Sequence, residues 1–159
     1  GFSGFDPIGQ MEAVAQQRTA EARGEPLKVD LFVPPSMEVV AEAGITDIDV
    51  LGATDYYRNR CINDNAGTRG LFSRRAASAA WDAFHLAETL LTTPLMMVVG
   101  DKPGGFGAYR DGLEIHARAA SKVKELVVIE GASHYELYDQ PGPVGQALAK
   151  LIPFYKQNL

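Results

Sequence analysis

The chain has a single cysteine, no long apolar run and no basic stripe, and each scarcity removes a class of protein. Cys61 alone cannot close an intrachain disulfide, so the fold does not depend on an oxidising compartment and a cytoplasmic setting suits it. The thiol is expected to be bland and partly buried. The longest apolar stretches, at residues 95–99 and 126–129, fall far short of the ~20 residues that cross a bilayer, so no membrane partner is expected. A net charge of -5 with dispersed Lys and Arg speaks against a nucleic-acid surface. No two of the three histidines stand at helical ligand spacing and there is no Cys pair, so neither a metal site nor a cofactor is called for. No basic-then-apolar leader opens the chain; it starts at GFSGFDP without Met, as a processed product or a fragment would.

What is present is the composition of a soluble globular protein, 159 residues long, enough for one sizeable core. Asp6 and Pro7 form a helix start, because the Asp oxygen accepts an orphan N–H and Pro already has a helical φ. That helix runs to about Arg23, with Gly24 as its stop and Ile8, Met11, Val14 and Ala15 on one side. LKVDLFV, bracketed by prolines, reads as a short extended piece. Ser36 caps a helix through Ala43, and Thr46 or Asp47 caps another that carries Ile48, Val50, Leu51, Tyr56 and Tyr57. CINDNAGTRG reads as an exposed loop. Residues 73–91 are Ala-rich and strongly helix-forming, with Trp81, Phe84 and Leu86 as bulky contacts, up to the Thr93-Pro94 stop.

After Pro94 the pattern changes. LMMVV is a continuously apolar run of strand length, suited to burial on both faces; a Gly-rich loop, a helix near residues 111–120, the run ELVVIE and a last helix from Val144 follow. Strand, helix, strand, helix is the grammar of a parallel sheet with right-handed crossovers, so the fold class is α/β. The division expected is a helical segment over 1–93 and an α/β part over 94–159. Pro153 should bend or shorten the last helix.

In parallel sheets functional groups collect beyond the carboxyl ends of the strands. His134 follows the second apolar run at such an end, and Asp101 follows the first. With the two strands adjacent, a carboxylate on one ring nitrogen fixes the tautomer and leaves the other nitrogen to take a proton from a nucleophile. Asp111, at the next loop-to-helix junction, and Asp6 are the rival acids. His85 and His116 lie in helical stretches and are assigned no chemistry. PGGFG, residues 103–107, is a partial match to a phosphate-cradling loop, lacking both the third Gly of G-x-G-x-x-G and a following G-K-[ST].

TPLMMVVGDKPGG, KELVVIEGASHYELYDQP and ALAKLIPFYKQNL together resemble the C-terminal part of the α/β-hydrolases, of the dienelactone-hydrolase-like type. GASHYELYD is the most specific of these matches, and QQRTAEARGEP, ATDYYR and AAWDAFHLAETLLTTP resemble the helical cap segment before the family's last two strands. The resemblance implies a partial α/β-hydrolase fold, an ester or lactone as small-molecule substrate, and His134 as the catalytic base, with Asp101, Asp111 or Asp6 as its acid.

The family's nucleophile, a Ser or Cys at a tight strand-to-helix turn, belongs upstream of every stretch quoted. GFSGF offers Ser3, but Phe5 stands where the second Gly is needed and no strand precedes it. The chain thus reads as the later half of a hydrolase, inactive alone, whose open sheet edge pairs with the missing N-terminal half or with a second copy. A non-catalytic binding or assembly module on the same scaffold is the alternative, and a nucleotide-binding domain built on the Gly-rich loop a more distant one.

Overall fold

A computed structural model describes residues 6–61 and 67–158. It resolves into two compact units that do not follow chain order: the chain up to Gly44 packs with Thr54–Ala83, and Ile45–Ala53 packs with Phe84–Leu159. Among the described residues no helix is long and apolar enough to cross a membrane.

The first unit is built on α1 (Pro7–Ala22), which starts as its sequence dictates: Asp6 Oδ1 accepts from the N–H groups of Ile8 and Gly9 at 3.1 and 3.0 Å. Gly24, at φ 94°, ends it in a conformation that a side chain would oppose. Val14 is buried, whereas Ile8 and Met11 are exposed. β1 (Val29–Leu31) realises the extended piece and pairs antiparallel with β2 (Arg69–Leu71), so the end of the expected CINDNAGTRG loop is strand; its residues 62–66 lie outside the described ones. Gly70 permits the pairing, since a Cβ there would come 2.4 Å from the Phe32 ring. α2 (Met37–Glu42) takes its cap from Ser36. Arg58, in a π-helical turn at Tyr56–Arg60, donates to the carbonyls of Pro34 and Val33 at 2.8 and 2.9 Å, tying β1's exit to this turn. Cys61 is half-buried.

The long helix expected over residues 73–91 is broken. α4 covers Arg75–Ala80 and α5 only Ala87–Leu90, with Trp81 extended and Leu86 left-handed at φ 60° between them. Trp81 is 75 % exposed and is not the core contact that helical packing would have made it. A tertiary arrangement overrides alanine's helix preference here: Arg118 donates to the Phe84 carbonyl at 2.8 Å and pairs with Glu88 and Glu114.

The second unit centres on β3 (Leu95–Gly100) and β4 (Lys124–Ile129), parallel and in register from Leu95 opposite Lys124 to Gly100 opposite Ile129. α6 (Ala108–Arg118) is the crossover between them; its Gly112 lies against Val99, where a Cβ would come 2.4 Å from Cγ1. α3 (Ile48–Asp55) starts in this unit under Asp47, whose Oδ1 accepts from the N–H groups of Asp49 and Val50. α7 (Glu136–Asp139) and α8 (Pro141–Asn158) close the chain, and α8 runs through Pro153 as one helix with Ala147 and Phe154 buried. The strands are not sealed on both faces as continuous apolar runs suggest. Val128 is 43 % exposed, so the face it stands on is not fully covered by helices among the described residues.

The hydrogen bond from Arg118 holds the Glu88 carboxyl below the usual carboxylate range. A folded-state value lower than the unfolded one contributes stability that is full above the unfolded value and is lost as pH falls through the folded one. Arg118→Gln should therefore narrow the difference between urea midpoints measured near neutral pH and at about pH 3. An unchanged difference would show that this pair does not couple folding to protons.

Candidate functional site

His134 sits where β4 gives way to loop. Gly131 turns the chain at φ 73°, Ala132 is fully buried, and the Ser133 N–H is held by Glu136 Oε2 at 2.7 Å at the head of α7. The imidazole is half-buried, edge-on to Tyr135 and Tyr138 with ring centroids 4.9 and 5.0 Å away. Its Nε2 lies 2.9 Å from the Tyr138 hydroxyl. Tyr135 anchors the loop in turn: it is buried, stands against Phe106, and packs closely on Gly52 of α3, where a Cβ would come 3.1 Å from its side chain.

Asp101 follows β3 as expected and does reach the His loop, though through backbone. Its Oδ1 accepts from the Gly131 N–H at 2.7 Å, while Lys102 donates its N–H to the Ala132 carbonyl at 3.1 Å. Among the described residues it makes no hydrogen bond to the imidazole itself. Asp111 pairs with its neighbour Arg110, whose Nε and Nη2 reach Oδ1 at 2.9 and 2.7 Å, and does not cap α6. Asp6 is in the first unit and caps α1. Ser3 lies outside the described residues.

A cavity of about 280 Å³ is lined by β3 together with His134, Lys102, Tyr109 and Asp111. Consecutive residues Met97, Val98, Val99 and Gly100 line it. α6 also lines it through Ala108, Gly112 and Ile115, and β3 has a second edge, opposite the one paired with β4. That edge carries no partner strand among the described residues. A larger cleft of about 720 Å³ in the first unit, lined by Leu31, Phe32, Arg74 and Arg75, contains neither His134 nor any of the candidate acids.

The sequence reading missed Asp49. It is 1 % exposed and lines the same cavity as His134, with Oδ2 accepting from the Phe106 N–H at 2.9 Å and Oδ1 buried without a hydrogen-bond partner among the described residues. Asp47 Oδ2 holds the adjacent Gly105 N–H at 2.7 Å. The glycines of PGGFG are thus explained by close approach: a Cβ on Gly104 would lie 2.2 Å from the Asp49 carboxyl carbon. The available signal was the Asp-x-Asp spacing at the head of α3, which by itself reads as ordinary helix-start chemistry. Among the described residues no three His, Cys, Asp or Glu side chains converge to hold a metal ion.

No family model matches the chain. Over 79 residues, half of this chain and 25 % of the other, it is 37 % identical to the uncharacterized protein YcjY of Escherichia coli K12. Solved structures match almost its whole length, three of them as follows. The α/β hydrolase GrgF from Penicillium sp. sh18 has a TM-score of 0.61 at 18 % identity over 95 % of this chain and 49 % of its own. DcsB, solved with a substrate analogue, scores 0.60 at 13 % identity over 96 % and 52 %. The hypothetical protein PA2218 from Pseudomonas aeruginosa scores 0.64 at 17 % identity over 96 % and 45 %. At these identities the likeness concerns architecture, and with its parallel strand pair and surrounding helices the chain carries the α/β-hydrolase fold over roughly half the length of the solved structures it resembles.

Proposed function

We propose that this chain supplies the acid–base part of a hydrolase acting on esters or lactones, of the dienelactone-hydrolase-like type, in a cytoplasmic setting. The observation that carries the reading is the placement of His134, half-buried at the carboxyl tip of β4 and lining a cavity beside the tip of β3. His134 takes the proton of a Ser or Cys nucleophile as that group bonds to the substrate's carbonyl carbon, and returns it to the departing alkoxide as the acyl C–O bond breaks. Water, deprotonated by the same ring, then attacks the acyl carbon, and the ring passes that proton to the nucleophile as its bond to the acyl group breaks. The Tyr138 hydroxyl stands at Nε2, where a nucleophile's proton would be received. Asp101 orients the assembly by tying the tip of β3 to Gly131, three residues before the histidine.

The nucleophile and the oxyanion hole come from another stretch of polypeptide, whose strand extends the sheet along the open edge of β3; a second copy of this chain is the other occupant of that edge. A p-nitrophenyl ester tests the reading. The 159-residue chain alone should turn it over no faster than its His134→Ala variant, and mixing with a nucleophile-bearing N-terminal half should create turnover. Turnover by the isolated chain that disappears in His134→Ala would place the nucleophile within it and overturn the division of labour.

A further inference from the structure

The cleft of about 720 Å³ lies wholly within the first unit, is of the size that small-molecule sites have, and brings together two unlike sets of side chains. Leu31, Phe32 and Leu71 are its apolar part, with Leu31 49 % and Phe32 51 % exposed, so hydrocarbon stands open to water there. Arg74, Arg75 and Ser78 are its polar part, and among the described residues no carboxylate lines it. The arrangement is braced: a Cβ on Gly70 would come 2.4 Å from the Phe32 ring, and the Arg75 guanidinium stands 5.4 Å from the centroid of that same ring.

The two arginines differ in what they have to spare. Arg75 Nε faces Asp30 Oδ2 at 2.7 Å, an ion pair that offsets its charge and holds its plane, while its Nη donors make no hydrogen bond among the described residues. Arg74 is exposed and has neither hydrogen bond nor ion pair among the described residues. Glu21, which shares a separate hollow with Arg74, accepts from Gln17 Nε2 at 3.0 Å and lies in the field of Arg18. The cleft therefore sets one uncompensated positive charge beside exposed hydrocarbon. We propose that it binds a carboxylate with an apolar body, the anion on Arg74 and Arg75 and the hydrocarbon on Leu31, Phe32 and Leu71. A single net charge matches a monoanion better than a phosphate dianion, and planar guanidinium donors suit the two oxygens of a carboxylate. The proposal does not depend on His134.

The test is a calorimetric titration of the whole chain with octanoate, and with 1-octanol as its uncharged match. Octanoate should bind saturably and octanol about tenfold more weakly. Arg74→Gln should weaken octanoate about tenfold and leave the urea midpoint of the unliganded chain unchanged, because Arg74 bonds to nothing that folding needs; His134→Ala should leave octanoate binding as it was. A measurement that needs no variant is the nuclear Overhauser effect between octanoate methylene protons and the Phe32 ring in the unaltered chain. Absence of saturable binding, octanol binding as tightly as octanoate, or contacts that bypass Phe32 would overturn the proposal. So would octanoate affinity lost in His134→Ala and kept in Arg74→Gln, which would seat the acid in the other cavity, or a dimer of the chain that octanoate fails to enter, which would give the cleft to a second copy.

Discussion

In the enzyme completed with its nucleophile-bearing half, His134→Ala lowers kcat/KM for a p-nitrophenyl ester by about 10²- to 10⁴-fold, the range that a lone general base contributes. The change should fall on kcat, because the imidazole acts while the proton moves. Tyr138→Phe is the informative companion. It removes the hydroxyl at Nε2 and leaves the ring seated edge-on against Tyr135 and the Phe at position 138, so its loss should be far smaller. Equal losses in the two variants would mean that the histidine serves the fold rather than the reaction.

The second large effect is structural. Gly100 ends β3 immediately before Asp101, and a Cβ on it would stand 2.1 Å from the carbonyl oxygen of Ala132 and 2.7 Å from its carbonyl carbon. Both atoms belong to backbone, which cannot swing aside as a side-chain tip can. Gly100→Ala must part the end of β3 from the His loop, straining the Lys102 bond to Ala132 and the Asp101 bond to Gly131 together. The expected cost is about 3 kcal/mol or more, at the upper end of overpacking penalties, read as a fall in the urea midpoint by circular dichroism. Gly142→Ala is the control. It lies near the start of α8 with nothing within 4 Å of the added carbon, and should be neutral or slightly stabilising. If the two variants unfold alike, the close approach at the strand tip does not exist in solution.

How much of this could be read from the amino acids alone depended on how local each cause was. Caps were legible because an Asp or Ser oxygen two or three residues from an orphan N–H needs nothing distant: Asp6, Ser36 and Asp47 all sit where the chain reads them. The parallel pair was legible from two apolar runs separated by a helix. The break between α4 and α5 was not, since an Ala-rich stretch states its helical preference and is silent about an arginine more than thirty residues away that takes the Phe84 carbonyl. Nor was Asp49. In TDID it reads as a first-turn acid, and only the fold brings Phe106, 57 residues on, to its oxygen. Asp101 was a middle case: the sequence brought it to the His loop, and the structure shows it reaching that loop through the Gly131 N–H.

The edge of β3 that has no partner strand among the described residues bears on the order of events during synthesis. Polypeptides fold largely from the amino end as they emerge, at roughly 5–20 residues per second. In a protein whose nucleophile half is made first, β3 leaves the ribosome opposite a waiting acceptor strand, and its row of amides is covered within seconds. Made apart from that half, the same amides meet only solvent or a sister molecule, so yield of soluble material should depend more on co-expression with the acceptor half than on temperature or promoter strength.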